Sequence, residues 1–516
     1  MGYKAYFLLF FVIKIQINLT MSILSHYRLE NSKKIYFFFF LFSFILSSNA
    51  QNSSYEDFKK NSNQKQSEFK EKSDTNYCSF RDKVNKEYAE FMRQSWERYS
   101  SSPAIAMPKL PDFVTPPVAP KGYTPTNNLL TPDSIIGVRK PYIHPEPIEP
   151  VIHVDSHTPS PYIFKFYNTE CTVNWHNSRQ FALKNLTEEE IAKTWVKLSD
   201  SSLDNTIADC LVLREQLDLC DWAYIQLIKD MSESFYNSAA SNEATLLQMY
   251  ILTQSGYKVR IARSNNRLLL LLPSEHTLYG YSYISIDNEK YFVLDKSFRG
   301  NLEICTVTYP NEKRMSLQMD KLPKLDAIPT KERYFASKHY PEIKTNICTN
   351  QNLIDFYNDY PISHWSFYAK ASLSETIKNE LYPVLRNAIK GKSKKDAANM
   401  LINFVQTAFE YQTDEEQFGY ERPLFPDETF FYPYSDCEDR AILYAVLVKD
   451  LLGLEVVLLH YPAHLATAVC FNDNTAGDYL IIDDERFLVC DPTYIGASVG
   501  QAMPKYKNVK MNIIKI

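Results

Sequence analysis

The last third of the chain changes from helical to strand-like spacing of its apolar residues. Apolar positions recur every three or four residues in three stretches: 374–390, 394–411 and 436–452. Short and almost continuously apolar runs follow at 455–460, 464–471, 479–483 and 486–490. An aromatic loop at 412–434 separates the second helical stretch from the third. This order predicts an α+β fold in which helices pack on an antiparallel sheet.

The middle third follows the same order. Helical spacing is found at 187–195, 203–235 and 243–255. Strand-like runs come next, at 258–263, 267–272, 281–287 and 290–294. The sequence therefore predicts two α+β domains, at 162–340 and 341–516.

The segments before these domains have different patterns. Aromatic residues recur at helix-like intervals through residues 51–101, which predicts an amphipathic helical segment. Residues 102–161 contain more than half of the chain's 27 prolines. Because proline lacks a backbone N–H, we expect this segment to be an extended, semi-rigid linker with no helix or central strand.

The first 50 residues resemble an export signal. Lys33 and Lys34 precede the apolar run 35–46, and the small residues Ser48 and Ala50 then provide a cleavage site. The pattern predicts a signal peptide at 1–50, with Met21 as an alternative start, and therefore a periplasmic or extracellular protein. The alternative is an uncleaved N-terminal anchor, which is the only membrane contact that the sequence predicts.

Charge and cysteine content exclude several classes of protein. The net charge of −5 gives no basic surplus of the kind that nucleic-acid-binding domains carry. The nine cysteines contain no Cys-x-x-Cys spacing, so neither a zinc site nor a thioredoxin-like motif is predicted, and we expect no cofactor. An odd number of cysteines in an exported chain leaves at least one thiol without an intrachain partner.

The four residues 435–438 carry the clearest chemical signal. Ser435 followed by Glu438 is the spacing of a capping box, which predicts a helix start. Cys437 then lies in the first turn, where unpaired backbone N–H groups and the helix dipole favour a thiolate. The neighbouring acids Asp436, Glu438 and Asp439 act in the opposite direction and raise the thiol pKa. A nearby imidazolium must outweigh them if Cys437 is to be a nucleophile.

His464 and Asp491 can complete a catalytic triad. His464 opens a predicted strand, and Asp491 ends the next strand but one. We predict that Cys437 is the nucleophile, His464 the base and Asp491 the group that orients the imidazole. His460 is the alternative base. Cys437 as an ordinary buried thiol is the structural alternative.

The sequence defines the hydrogen-bond donors that would stabilise an oxyanion less clearly than it defines the triad. The backbone N–H of Cys437 is the first candidate, because it lies at a helix start. The sequence leaves the second donor open between Gln417, in the upstream loop, and Tyr434.

These residues resemble the transglutaminase-like superfamily over 372–494. The shared features are the cysteine at a helix start, the histidine that opens a strand, and the Asp-x-Thr pattern of Asp491 and Thr493. The resemblance implies a papain-like fold and acyl transfer on protein or peptide amides through a thioester, by hydrolysis or by transfer to an amine. Many members have an aromatic residue soon after the histidine, whereas Leu465 and Ala466 follow His464 here.

The middle domain is predicted to be a degenerate copy of the last one. Shifting it by 197 residues superposes Gly256 on Gly453, which places Ala240 on Cys437 and Arg267 on His464. Asp295 falls within one residue of Asp491. The copy would lack nucleophile and base. The alternative is chance similarity, since helices followed by strands are common.

Three functional hypotheses follow. The first is an exported cysteine enzyme with a single active site in residues 341–516. The second is a catalytically inactive binding or adaptor protein that uses the aromatic loop 412–434. The third, a disulfide-bonded Cys437, requires another cysteine close to the helix start.

Overall fold

The structure is a computed structural model of the chain. It describes residues 80–110, 113–122, 126–137, 143–151, 160–175, 180–200, 203–238, 241–471 and 475–516. All of these belong to one compact unit, Tyr77–Ile516. The predicted signal peptide and the first part of the segment 51–101 lie outside the described residues.

The first half of the described chain contains five helices and most of the first sheet. The helices are α1 (80–92), α2 (Glu188–Leu198), α3 (Asp204–Gln216), α4 (Asp221–Tyr236) and α5 (Asn242–Gln254). The strands are β1 (Glu97–Ser100), β2 (Pro132–Ile136), β3 (Pro161–Phe166), β4 (Thr169–Asn174), β5 (Arg260–Ser264), β6 (Arg267–Pro273), β7 (Tyr283–Ile286), β8 (Glu289–Val293) and β9 (Asn301–Ile304).

The second half repeats the order of helices and then strands. Its helices are α6 (Gln351–Asp359), α7 (Trp365–Lys370), α8 (Glu375–Ile389), α9 (Lys394–Ala408), α10 (Asp414–Gln417), α11 (Pro426–Phe431) and α12 (Cys437–Leu452). Its strands are β10 (Arg333–Ala336), β11 (Lys344–Ile347), β12 (Glu410–Tyr411), β13 (Tyr434–Ser435), β14 (Val456–Tyr461), β15 (His464–Cys470), β16 (Tyr479–Ile482), β17 (Glu485–Cys490) and β18 (Met511–Lys515). The α+β class predicted from the sequence is confirmed.

The two large sheets have the same strand order. The first runs β1-β9-β5-β6-β8-β7, and the second runs β2-β18-β14-β15-β17-β16. In each sheet a two-residue hairpin joins the central strands, and an N-terminal segment adds the outer strand. The outer strands differ in direction, since β1 is antiparallel to β9 and β2 is parallel to β18.

The central strands of each sheet are buried on both faces, which explains their nearly continuous apolar sequences. In β6, Leu268 and Leu270 belong to the main core with the helices, whereas Leu269 and Leu271 belong to a second cluster behind the sheet. Strand β15 alternates in the same way between the main core and a cluster on its other face. The main core is shared by both halves of the chain.

The Pro-rich segment packs against the domains that follow it. Its residues 132–136 form β2, an edge strand where prolines do not interrupt a sheet ladder. The backbone N–H of Leu130 donates to the carbonyl of Tyr479 over 2.7 Å. Further along, the backbone of Glu146 lies so close to Gly256 that no side chain fits between them.

Two helix predictions differ from the structure. The stretch 203–235 is divided into α3 and α4, because Asp218 adopts a left-handed conformation between them (φ 50°). The end of the segment 51–101 forms β1, because its backbone completes the edge of the first sheet. None of the helices in the described ranges combines the length and apolar character needed to cross a membrane.

Replacing Gly256 tests the contact with the Pro-rich segment. A Cβ at this position would lie 2.1 Å from the Glu146 carbonyl oxygen, and the backbone is left-handed (φ 91°). We expect Gly256→Ala to destabilise the protein by about 3 kcal/mol or more, since overpacking adds to backbone strain. The measurement is chemical denaturation followed by circular dichroism.

Gly453→Ala is the matched control. Gly453 ends α12 with φ 62°, and no described atom lies within 4 Å of the added Cβ. Its expected cost is about 1–2 kcal/mol, from backbone strain alone. If both variants lost the same free energy of unfolding, the result would contradict the close approach of Glu146 to Gly256.

Candidate active site

Cys437 is the first residue of α12. The N-cap is Asp436, so the predicted cap at Ser435 is wrong by one residue. Ser435 lies in β13, where its hydroxyl accepts a hydrogen bond from the Arg440 guanidinium over 3.3 Å. This shift leaves Cys437 in the first turn, as predicted.

The sulfur of Cys437 lies against the start of β15. The backbone N–H of Leu465 hydrogen-bonds the sulfur, and the thiol contacts the Glu438 carboxyl over 3.2 Å. Helix α12 packs across β14 and β15, so its N-terminus reaches the turn of their hairpin. The residue before Leu465 is His464, the first residue of β15.

The structure pairs His464 with Asp491. The Nε2 atom lies 2.9 Å from Oδ2 of the carboxylate, and both side chains are almost fully buried. The other carboxylate oxygen accepts the Thr493 backbone N–H over 3.0 Å, which fixes its orientation. The Nδ1 atom of His464 has no hydrogen-bond partner among the described residues. The Cys437 thiol is therefore not hydrogen-bonded to this nitrogen.

Gln406 supports this pair and was not predicted from the sequence. Its amide nitrogen donates to the carbonyls of Tyr494 and Ala497, over 2.8 and 3.1 Å. Its amide oxygen accepts the Gly496 backbone N–H. A buried glutamine on α9 thus anchors the loop that follows Asp491. No sequence pattern marks it, because its partners are backbone groups about 90 residues away.

Aromatic rings enclose the imidazole. Tyr506 stacks on His464 with ring centroids 5.1 Å apart and planes inclined by 8°. Phe113, from the Pro-rich segment, meets the same imidazole edge-on at 5.7 Å. The backbone carbonyl of Phe113 also accepts the Tyr411 hydroxyl hydrogen bond over 3.1 Å. Cys437 is 0% exposed, so substrate can reach it only if part of this enclosure moves.

The electrostatic surroundings keep the thiol neutral. Burial raises the pKa of Cys437 well above its usual value, and the Glu438 and Asp436 carboxyls raise it further. The Leu465 N–H lowers this pKa, by a smaller effect. The dipole expected from the sequence thus does not prevail over burial. The arrangement suits a thiol that loses its proton to a base during attack.

The two predicted oxyanion donors differ in position. The side-chain oxygen of Gln417 is buried and has no hydrogen-bond partner among the described residues. Tyr434 is 37% exposed on β13. Tyr411, on the neighbouring strand β12, was not predicted. After burial, the negative charge of a Cys437 thiolate is the largest cause that raises the pKa of Tyr411.

The structure also places the residues of the other hypotheses, which are His460, the remaining cysteines and the aromatic loop 412–434. His460 lies against the Trp365 ring, with centroids 4.6 Å apart. All eight described cysteines are free, so Cys437 forms no disulfide with any of the other seven. Phe425 and Phe430, in the aromatic loop, are core residues with 1% exposure.

The first sheet contains an equivalent position. Asn242 is the first residue of α5, and its side-chain oxygen accepts the Leu268 backbone N–H over 2.8 Å. Leu268 follows Arg267, the first residue of β6, as Leu465 follows His464. Arg267 pairs with Asp295 over 3.1 Å. Asn242 thus begins α5 as Cys437 begins α12; Ala240, which the sequence aligns with Cys437, lies outside the described residues.

Comparisons of the chain with models of known protein families, with curated proteins and with solved structures found no match.

Removing the Phe113 ring tests how the site is covered. The lost contact is worth about 1.5 kcal/mol or more, so Phe113→Ala should increase the iodoacetamide labelling rate of Cys437 about tenfold or more. The rate should still rise above pH 8, because the raised pKa leaves little thiolate at neutral pH. Peptide mass spectrometry identifies the labelled cysteine.

Val114→Ala is the matched control, since Val114 is the next residue and is 68% exposed. It should leave the labelling rate unchanged. Equal labelling of Cys437 in the Phe113 variant and the wild type would show that this ring does not control access.

Proposed function

We propose that residues 341–516 form a transglutaminase-like cysteine enzyme that acts on protein or peptide amides through a thioester. The observations that carry this proposal are the buried His464–Asp491 pair on one strand of the β14–β15 hairpin and a buried first-turn cysteine on the helix that packs against that hairpin. A neutral thiol, an imidazole with one nitrogen free and a carboxylate on the other nitrogen are the groups that thiol-dependent acyl transfer requires.

The proposed reaction has two halves. The Cys437 sulfur attacks the amide carbon while its proton passes to Nδ1 of His464. The C–N bond then breaks, and the imidazolium returns the proton to the leaving amine or ammonia. Water or a primary amine attacks the thioester, gives its proton to His464, and restores the thiol. Backbone N–H groups at the start of α12 lack helical acceptors and can stabilise the oxyanion.

The common strand order supports a duplicated transglutaminase-like module. Both sheets place the first residue of their second hairpin strand beside the N-terminus of the packed helix. In the first copy these residues are Arg267 and Asn242, which provide neither a nucleophilic thiol nor an imidazole. One active site per chain is therefore proposed.

Export is part of the proposal. The signal-like pattern at 1–50 supports a periplasmic or extracellular enzyme with protein or peptide substrates. An anchored form would differ only in how its N-terminus is held.

A second candidate is a non-catalytic binding protein. The complete burial of Cys437, His464 and the Asp491 carboxylate favours it, because no substrate reaches them in this conformation. The cleft beside Arg267 in the first half is open to solvent and lined by polar side chains, among them Lys229 and Gln248. A partner bound there would not depend on Cys437.

An activity assay in the Phe113→Ala variant distinguishes the enzyme from the non-catalytic binding protein. A glutamine-containing peptide and a fluorescent primary amine are supplied together, and ammonia release and amine incorporation are measured. We expect Cys437→Ala to abolish both, and His464→Ala to reduce the rate by about 10²–10⁴-fold. Mass spectrometry of the quenched reaction should find an acyl group on Cys437.

His460→Ala is the matched control, because His460 lies on the same hairpin but faces Trp365. It should retain most of the activity. If Cys437 forms no acyl adduct and is alkylated no faster with His464 than without it, the enzyme proposal is wrong. Ammonia release without amine incorporation identifies a hydrolase.

A further inference from the structure

An open polar cleft lies beside Arg267 in the first half of the chain. This Arg267 cleft has a volume of about 450 Å³, which is within the usual range of ligand pockets. Helices α4 and α5, the first part of β6 and the loop after β8 line it. In the second half, the rings of Phe113 and Tyr506 cover His464 at the start of β15. The enzyme proposal assigns no role to the Arg267 cleft.

Strand β6 has a free edge along the cleft. Strand β5 pairs with residues 267–271 of β6, whereas β8 pairs only with residues 271–273. In the described part of the chain, residues 267–270 therefore have no strand neighbour on the β8 side, and residues 268–270 line the cleft. An unpaired strand edge is a template on which another extended segment can pair.

The direction of the backbone groups shows which side of β6 is free. The Leu268 N–H donates to the Asn242 side chain, and the Leu270 carbonyl accepts the Leu294 N–H over 3.0 Å. In an antiparallel ladder, the N–H and carbonyl of one residue point to the same side, and so do those of the residue two positions away. The Leu268 carbonyl and the Leu270 N–H therefore also point away from β5. No described strand pairs with them, which leaves an acceptor and a donor for an extended peptide.

Two side-chain amides in the cleft are without partners. Gln248, on α5, is only 9% exposed, and its amide makes no hydrogen bond with any described residue. Gln226, on α4, also makes none within the described ranges. Polar groups that are buried to this extent are almost always hydrogen-bonded. A glutamine amide has both donors and an acceptor, so it can bind the N–H and the carbonyl of a peptide backbone.

The charges of the cleft nearly cancel. Its lining contains three basic and three acidic side chains: Lys229, Arg267, Lys296, Glu233, Asp295 and Asp359. Arg267 pairs with Asp295 over 3.1 Å, and Lys229 pairs with Glu233 over 3.1 Å. This balance disfavours a polyanion such as a nucleic acid, which requires a basic surplus. A peptide backbone is polar but uncharged, and it fits the balance.

The aromatic residues of the cleft disfavour a sugar. Trp222 and Tyr281 are only 3% and 2% exposed, so they offer little open ring face on which a sugar could stack. The Lys296 ammonium also lies 5.1 Å from the centre of the Tyr281 ring. The groups that remain accessible are amides, charged groups and a strand edge.

We propose that the Arg267 cleft binds an extended polypeptide segment. The segment adds a short strand to the free edge of β6 and hydrogen-bonds to the amides of Gln226 and Gln248. The free edge at residues 267–270 accommodates about 13 Å of extended chain. The proposal does not rest on the enzyme activity, because neither Cys437 nor His464 lines this cleft.

Selection from a displayed library of random heptapeptides is the test. The bait is the full chain with Cys437→Ala, in which the proposed nucleophile cannot consume the peptides. We expect enrichment of peptides that bind the chain in solution, measured by fluorescence polarisation. Binding by this variant would support the cleft whatever the outcome of the activity assay.

Substitution of the two amides tests where the peptides bind. Gln248→Leu and Gln226→Leu should each weaken peptide binding about tenfold, because a buried peptide group then lacks its partner. Both variants should fold, since leucine is close to glutamine in size and neither amide is hydrogen-bonded in the free protein. Gln216→Leu is the matched control, because Gln216 is exposed at the end of α3 and does not line the cleft. It should bind the peptides within about twofold of the wild type.

Methylation of single peptide nitrogens tests the strand pairing. Each methyl group removes one backbone donor, so losses of about tenfold should occur at every second position of the bound segment. The proposal is overturned if the library yields no binding peptide, if both amide variants bind as tightly as Gln216→Leu, or if the methylated peptides show no alternation. Binding to a glycan array in place of the peptides would also overturn it.

Discussion

The packing of α12 fixes the position of Cys437 in the candidate site. Thirteen of its sixteen residues are buried, against α9 on one side and the β14–β15 hairpin on the other. A helix enclosed in this way cannot turn or slide without opening cavities in the core. Its first residue is therefore fixed against the first residues of β15. The contact between the Cys437 sulfur and the Leu465 N–H follows from helix packing.

The same packing creates an electrostatic problem. Burying the start of α12 also buries Asp436, Glu438 and Asp439, which follow one another closely in the sequence. The helix dipole, equivalent to about half a positive charge, offsets only part of this negative charge. The carboxyls raise the pKa of Cys437, so the site favours a neutral thiol that is activated by His464.

The two halves of the chain show how one arrangement can carry different chemistry. Asn242 accepts the Leu268 N–H in the way that the Cys437 sulfur accepts that of Leu465. Arg267 and Asp295 form an ion pair where the second half has His464 and Asp491. The first half thus has Asn242 at a helix start and Arg267 and Asp295 in a polar cleft, whereas the second half has a buried thiol, an imidazole and a carboxylate. The N-terminal segment contributes to both halves, through β1 and β2 at the sheet edges and through Phe113 at the imidazole.

The sequence alone determined the α+β class, most strand positions and the pairing of His464 with Asp491. Apolar runs and turn residues are local signals, so β15 and β17 could be located within one or two residues. The cap at Asp436, the break before α4 and the strand β1 depend on contacts between distant residues, and local patterns do not contain them. Only the tertiary structure decided that Phe113 covers His464, that Gln406 holds the Asp491 loop and that Asn242 accepts the Leu268 N–H. Burial decides these features, because the free energy of a charge or thiol depends on the distant residues that exclude water from it.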